Sequence, residues 1–316
     1  MYVTPVHIEP ISAITYSDNI FLMGSCFSTY MGNKMERLKF LVLQNPFGVL
    51  YNPASIAITL ERMVTKKYFS ENDFFLDEDI YKSYYLHSSL AGTSISLLLK
   101  DVNHKIEEGY EFAQKSTWFF ITLGSATVYR LKKTDEIIAN CQKQPTSLFR
   151  EALLTVEQCL AYLEKIKKCI YHLHPKSKIV FTVSPVRYFK QGAHANQISK
   201  SILFVALHQL MENNPEIIYY PAYEIFNDEL RDYRYYAADM IHPGEVGIEH
   251  IWKNFSETFF EKETLQIMHK VEEVQKALEH RTFFPESKSY HQFIIQLQKK
   301  ITQLEKEYPF LKFNSD

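Results

Sequence analysis

Two short stretches, far apart in the chain, carry side chains suited to acyl transfer. The first is Gly24-Ser25-Cys26, which follows an apolar run. The second contains Asp239 and His242, three residues apart. A hydroxyl or thiol at a strand end, activated by a histidine that an aspartate orients, can attack an ester carbonyl. The two stretches therefore predict a Cys/Ser-His-Asp site, with His242 as general base and then general acid.

The elements that must position these residues alternate between short apolar runs and helical patterns. The helix signals include Asn52-Pro53, an N-cap followed by proline, and a capping box from Thr155 to Gln158. Further helices are predicted over 28–38, from about 195 to 211, and over 244–260. The apolar runs, continuous as in parallel strands covered on both faces, are Asn19–Met23, Lys39–Leu43, Trp118–Leu123, Lys178–Val183 and Glu216–Tyr220.

This alternation predicts a doubly wound α/β domain, in which sites form beyond the carboxyl ends of the strands. Gly24–Cys26 follows the first predicted strand, Gly124-Ser125 the third and Ser184 the fourth. Asp239 and His242 lie in the loop before the last helix of the domain. We expect these segments to converge on one edge of the sheet.

Composition and charge exclude several classes of partner. The 316 residues have a net charge of −2, so bulk electrostatics indicates neither nucleic acid nor an anionic membrane. The chain has no P-loop, no GxGxxG and no metal-ligand spacing, so no cofactor and no metal are predicted. The first residues lack the features of a signal peptide, which makes cytoplasm the expected compartment. The sequence does not indicate an oligomeric state.

The expected organisation is one domain over 1–260 and a helical extension over 261–316. Residues from about 68 to 114 form a long excursion between the second and third strands, interpreted as an insertion that covers the site. The extension has two amphipathic, highly charged segments interrupted at Phe284-Pro285.

Several motifs resemble those of the GSCFA family, which is grouped with the SGNH, or GDSL-like, hydrolases. Gly24-Ser25-Cys26-Phe27-Ser28 resembles the naming motif and departs from it at the last position. Matching stretches over nearly the whole chain begin at Asn45, Ser184, Ser199, Tyr220, Arg231 and Phe284. The resemblance implies a three-layer flavodoxin-like fold with a mainly five-stranded parallel sheet, and ester or acyl-transfer chemistry.

The superfamily pattern transfers unevenly to this sequence. Its nucleophile lies two residues after the glycine, which favours Cys26 over Ser25; both alternatives stay open, as does a purely structural turn with Cys26 buried. Gly48 corresponds to a glycine whose N–H helps to form the oxyanion hole. Gly124 and Ser125 fall in the third block, whose asparagine is absent here. Loss of one such donor costs about 10²–10³ in rate when nothing replaces it.

Four further residues are weaker substrate-binding candidates. His87 lies in the predicted insertion, whereas Ser184, Arg187 and Asn196 follow the fourth strand. Arg187 is suited to a phosphate or carboxylate. The resemblance thus implies a hydrolase or acyltransferase acting on a small acyl ester of a carbohydrate or other polar scaffold. The alternative is a non-catalytic module that binds a polar or carbohydrate ligand in a degenerate hydrolase pocket.

Overall fold

A parallel five-stranded sheet lies at the centre of the computed structural model, which describes residues 4–280 and 282–313. The strands in chain order are β1 (Asn19–Gly24), β2 (Leu41–Gln44), β3 (Phe75–Asp77), β4 (Ile80–Lys82), β5 (Ser116–Leu123), β6 (Thr127–Leu131), β7 (Ile137–Ile138), β8 (Phe149–Leu153), β9 (Lys178–Val183) and β10 (Ile218–Tyr219). The central sheet has the order β2-β1-β5-β9-β10. Counted among these five strands alone, the order is 2-1-3-4-5, as in flavodoxin-like folds. The predicted fold class is confirmed.

Helices cover both faces of this sheet. They are α1 (Cys26–Arg37), α2 (Pro53–Val64), α3 (Ile95–Ala113), α4 (Val156–Leu173), α5 (Ala193–Asn213), α6 (Ala222–Glu224), α7 (Glu245–Phe259), α8 (Lys262–Leu278) and α9 (Lys288–Glu307). A π-helical segment, Ile225–Leu230, follows α6 directly.

Strand β1 shows how the two hydrophobic cores form. Phe21 and Met23 belong to the core beneath α2, α3, α4 and α5. Ile20 and Leu22 point the other way, into the core beneath α1, α7, α8 and α9. Because successive strand residues face opposite sides, a strand that is apolar throughout must be covered twice.

The helix caps and most strand positions predicted from the sequence agree with the structure. Asn52 caps α2 by accepting the N–H of Ser55 at 2.8 Å, and Thr155 and Gln158 form the expected capping box of α4. The strand predicted over Lys178–Val183 has those same bounds. The predicted strand over Glu216–Tyr220 is reduced to the two residues of β10.

The segment from 68 to 114 differs from the expected cover. Its first part forms the antiparallel hairpin of β3 and β4. Its last part is α3, which buries Leu98, Val102 and Ile106 in the core shared with α2 and α4. The segment therefore contributes a helix to one outer layer.

A second sheet, absent from the sequence prediction, lies beyond β5. Strand β6 pairs antiparallel with both β7 and β8. Its strands are short, and β6 and β8 are partly exposed, so they lack the long apolar runs that marked the central sheet.

The C-terminal helices pack on the core rather than standing apart from it. Val271 of α8 and Ile301 of α9 are buried in the cluster that includes Met35 of α1 and Phe260. At the surface, the guanidinium of Arg37 donates to the carboxylate of Glu279 at 2.7 Å. Within the described residues, no helix combines the length and apolar character needed to cross a membrane.

Candidate active site

A cavity of about 640 Å³ opens beyond the carboxyl ends of the central strands. Its walls come from the segments that follow β1, β2, β5 and β9, from the small second sheet, and from the turn before α7. The structure thereby brings together most of the predicted site residues, namely Ser25, Cys26, Gly124, Ser125, Ser184, Arg187 and His242. Within the described ranges, the segment from 68 to 114, expected to cover the site, contributes no lining residue.

The junction between β1 and α1 separates the roles of Ser25 and Cys26. Ser25 is 1% exposed, and its Oγ accepts the N–H of Phe27 at 3.3 Å as the N-cap of α1. Cys26 is the first residue of the helix and is only partly buried on the cavity wall. The serine hydroxyl is thus occupied in starting the helix, whereas the thiol is accessible.

Gly24 makes this junction possible. Its φ of +134° is one that other residues rarely adopt, and a Cβ there would lie 2.1 Å from the carbonyl oxygen of Thr122. The same carbonyl accepts the N–H of Ser25 at 3.1 Å. The close approach of β1 to β5 fixes where α1 begins and therefore where Cys26 lies.

The groups around Cys26 shift the pKa of its thiol in opposite directions. Burial raises the pKa of Cys26 above its ordinary value. The N–H groups of Cys26 and Phe27 at the helix start and the ammonium of Lys200 oppose that rise. Burial is the largest effect, so the free thiol is protonated at neutral pH and needs a base to become a nucleophile.

Asp239 and His242 form a hydrogen-bonded pair. The Nδ1 atom of His242 lies 2.6 Å from Oδ2 of Asp239, while Oδ1 accepts the N–H groups of Ile241 and His242 at 2.9 and 3.0 Å. These hydrogen bonds, led by the N–H of His242, lower the pKa of Asp239 to about 2. The ionised carboxylate holds the proton on Nδ1 and leaves Nε2 free to accept one.

The pair lies on the same side of the sheet as the thiol. Tyr30, one turn along α1 from Cys26, has its pKa raised mainly by burial and then by both Cys26 and Asp239, so both lie within electrostatic range of one phenol. Across the described residues, no hydrogen bond joins the Cys26 thiol or the Ser25 hydroxyl to His242. Contact between base and thiol therefore requires a movement of the His242 side chain or of the turn that carries it.

The predicted oxyanion donors are already engaged. The N–H of Gly48 donates to the carbonyl of Asn45 at 2.8 Å, and Gly48 does not line the cavity. The N–H groups of Gly124 and Ser125 both donate to the carbonyl of Tyr51, at 2.7 and 2.9 Å. The structure therefore does not bring Gly48 to the cavity wall, and the two amides after β5 tie this loop to the segment before α2.

Two other donors face the cavity. Cys26 is the first residue of α1, where a backbone N–H has no partner within the helix. Asn52, 6% exposed, also lines the cavity. The N–H of Ser55 donates to one terminal atom of the Asn52 amide, which must therefore be the oxygen Oδ1. The other terminal atom is then the nitrogen of the NH₂ group. Within the part of the chain described, that NH₂ group has no hydrogen-bond acceptor.

The remaining predicted residues shape the loops around the cavity. The Ser125 Oγ accepts the N–H of Thr127 at 2.9 Å and lies 3.0 Å from Oγ of Ser199. The Ser184 Oγ accepts the N–H of Val186 at 3.3 Å. Asn196 is outside the lining, and its Oδ1 accepts the N–H of Tyr188 at 2.8 Å. It acts on the site only by holding the loop that carries Arg187.

His87 lies away from the cavity and packs on Gly48. A Cβ at Gly48 would come within 2.1 Å of the Cβ of His87, and the Nδ1 of His87 is 2.9 Å from Oγ of Ser89. Burial lowers the pKa of this imidazole. The structure therefore gives His87 a packing role and does not place it on the cavity wall.

Sequence reasoning missed two residues at this site. Asn52 was identified only as a helix cap. Lys200 is 1% exposed and donates from Nζ to the carbonyl of Ser184 at 2.8 Å, directly behind the cavity. Lys200 could have been found from its helical spacing with Asn196, Leu203 and Leu207, which places a lysine on the buried face of the helix. Among residues 4–280 and 282–313, no group of three or more His, Cys, Asp or Glu is placed to hold a metal ion.

Comparison with known proteins identifies the family. The sequence model of the GSCFA family matches residues 19–255, and that described as GSCFA domain protein, C-terminal domain, matches residues 271–316. A search of curated proteins found no match.

Several solved structures are similar at low identity. One is a Streptococcus pneumonia protein provisionally described as a platelet activating factor (13% identity, TM-score 0.40, 78% of this chain and 85% of that one). Another is a carbohydrate esterase family 3 protein from Talaromyces cellulolyticus (8%, 0.38, 80% and 98%). A third is an acetyl xylan esterase, Est2A, from Butyrivibrio proteoclasticus (8%, 0.41, 77% and 63%). Similarity of this degree does not bear on the activity of the chain.

Proposed function

The chain belongs to the GSCFA family, and we propose that it is an ester hydrolase or acyltransferase of SGNH type with Cys26 as its nucleophile. One observation carries the proposal: the thiol at the start of α1 and the His242 ring, held by Asp239, line the same cavity. The flavodoxin-like strand order and the Asp-x-x-His spacing support the relationship to that superfamily.

The chemistry proceeds in two steps. The Nε2 atom of His242 takes the proton of the Cys26 thiol while the sulfur attacks the ester carbonyl carbon. The resulting oxyanion accepts hydrogen bonds from the Cys26 N–H and the Asn52 side-chain NH₂. Collapse breaks the bond to the alkoxy oxygen, which takes the proton from His242 and leaves a thioester. Water, or the hydroxyl of a second substrate, then attacks the thioester with His242 again as base.

The cavity is suited to a small acyl group on a polar scaffold. Its volume of about 640 Å³ exceeds what an acetyl-sized group needs, and its walls include the phenols of Tyr51, Tyr129 and Tyr188. Aromatic rings with polar edges provide flat surfaces and hydrogen bonds for a sugar-like alcohol. A carbohydrate ester is accordingly the substrate class that we propose.

Covalent trapping tests the proposed intermediate. We expect p-nitrophenyl acetate, quenched in acid during turnover, to leave an acetyl group on the peptide that contains Cys26. Cys141 lines the same cavity as a partly buried thiol and serves as the internal control. Peptide-level mass spectrometry makes the measurement. Acetylation of Cys141 alone, or of neither cysteine while p-nitrophenol is released, would contradict the mechanism.

Replacing Asn52 tests its role as oxyanion donor. Serine is as good an N-cap as asparagine, so Asn52→Ser is expected to keep α2 capped while it removes the side-chain NH₂ group. We expect kcat/KM for a short acyl ester to fall about 10²–10³-fold, with a change in the free energy of unfolding below about 0.5 kcal/mol. Steady-state kinetics and urea unfolding measure the two effects. A rate within about threefold of the wild type would remove Asn52 from the mechanism.

A further inference from the structure

The charged groups on the cavity wall are positive. Arg187 and Lys190 line the cavity, and Lys200 lies directly behind it with its Nζ on the carbonyl of Ser184. No Asp or Glu of the described residues is among the lining side chains. The nearest carboxylate of the site, Asp239, is already hydrogen-bonded to His242.

Arg187 has no counter-charge of its own among the described residues. Its Nε is shielded from solvent and has no hydrogen-bond partner in that part of the chain. In the described part of the chain, no carboxylate lies within 4.0 Å of its guanidinium, although each of the six other arginines there has such a partner. A desolvated guanidinium donor without an acceptor is costly, so this arrangement favours an acceptor that arrives with the ligand.

Titratable groups around Arg187 respond to its positive charge. Burial, together with the charge of Arg187, lowers the pKa of Lys200 to about 7, while Cys26 acts in the opposite direction. The phenol of Tyr236 also responds to Arg187. Lys190, also on the cavity wall, donates from Nζ to the hydroxyl of Tyr129 at 3.0 Å, and that phenol also interacts with Glu151. An acid therefore lies near Lys190, whereas the Nε of Arg187 has no partner among the described residues.

We propose that Arg187 binds an anionic oxygen group of the ligand, a carboxylate or a phosphate. The planar guanidinium presents parallel N–H donors that match two oxygens of either group. This inference rests on the proposed function, and together with it makes the natural substrate a negatively charged ester. Cys26 and Arg187 line one cavity, so one molecule is held by its anion while its ester faces the thiol.

The test compares two alkylating reagents at Cys26 and needs no ester hydrolysis. Iodoacetate is anionic and iodoacetamide is neutral, and the thiolate displaces iodide from both. The ratio of their rates therefore reports attraction of an anion and cancels any change in thiol acidity. We expect Arg187→Gln to lower the iodoacetate-to-iodoacetamide ratio about tenfold, as the loss of one charge-assisted hydrogen bond implies. Peptide-level mass spectrometry separates Cys26 from the other cysteines.

The controls isolate charge and position. Arg187→Lys is expected to keep most of the ratio, and Lys253→Gln, at a lysine whose side chain is 72% exposed on α7, is expected to leave it unchanged. Protection of Cys26 by succinate or by inorganic phosphate, lost in Arg187→Gln, would support the site and distinguish a carboxylate from a phosphate. A ratio unchanged in Arg187→Gln would overturn the anion site. A normal ratio effect in a protein that hydrolyses no ester would keep the anion site and reject the proposed enzyme.

Discussion

Replacing Cys26 with alanine is expected to lower kcat/KM for a short acyl ester by about 10³-fold or more, the scale seen when a nucleophile is removed. Ser25→Ala is expected to keep the rate within about tenfold of the wild type. The structure gives the reason, because the buried Ser25 hydroxyl accepts the Phe27 N–H while the Cys26 thiol lines the cavity. Release of p-nitrophenol from its acetate ester, measured for both variants, checks this result.

Stability measurements sharpen the contrast between the two neighbours. Loss of the N-cap in Ser25→Ala should lower the free energy of unfolding by about 1 kcal/mol, whereas Cys26→Ala removes no cap. Cys141→Ala, at another thiol on the cavity wall, is the matched control and should react like the wild type. The reverse pattern, with Ser25→Ala inactive and Cys26→Ala active, would move the nucleophile to the serine.

His242→Gln is expected to lower kcat/KM by about 10³-fold, and Asp239→Asn by about 10²-fold or more. Burial keeps the Cys26 thiol protonated at neutral pH, so the reaction needs the His242 ring as a base. An asparagine at 239 presents no carboxylate to the Nδ1–H and so ceases to fix the tautomer. Steady-state kinetics from about pH 5 to 9 measure both effects.

The pH dependence of the Asp239 effect follows from the sign of its pKa shift. The pKa of Asp239 in the folded protein, about 2, lies below its ordinary value. Its ionised form therefore favours the folded turn above about pH 4, and this contribution is lost as the pH falls towards about 2. Throughout about pH 5 to 9 the carboxylate is charged, so the loss in Asp239→Asn should be equally large across that range.

A second histidine–carboxylate pair provides the control for His242. The Nε2 of His250 lies 2.7 Å from Oε1 of Glu229, and neither residue lines the cavity. His250→Gln should leave the rate within about threefold of the wild type, with any effect confined to stability. Equal losses in His250→Gln and His242→Gln would show that the effect of His242 is structural.

The central sheet was predictable because its signals are local. A strand covered on both faces must be apolar throughout, as Lys178–Val183 is, and a helix start is marked by its own cap, as at Asn52. The second sheet was not predictable in this way. Strand β6 is partly exposed and is held by antiparallel partners, and β8 lies well beyond it in sequence.

At the site, residue types could be predicted but hydrogen-bond partners could not. The spacing of Asp239 and His242 fixes their contact within one turn, so the sequence is sufficient there. Whether a backbone N–H is free to bind an oxyanion depends on carbonyl groups far away in the sequence. The carbonyl of Tyr51, for example, accepts the N–H groups of Gly124 and Ser125. For the same reason the sequence did not reveal that the N–H of Gly48 donates to the carbonyl of Asn45, and Asn52 was not recognised as a donor.

The turn that carries Asp239 and His242 is closed on itself. The N–H of Ala237 donates to the carbonyl of His242 at 2.8 Å, and the turn is anchored where Tyr236 pairs with Pro243. The orientation of the imidazole is therefore set inside a self-contained unit, whereas the position of the thiol is set by the rigid start of α1. Displacement of this turn as one body would carry a correctly oriented base towards or away from the sulfur. The nucleophile is thus fixed by the junction of β1 with α1, whereas the base belongs to a turn whose hydrogen bonds are mainly internal.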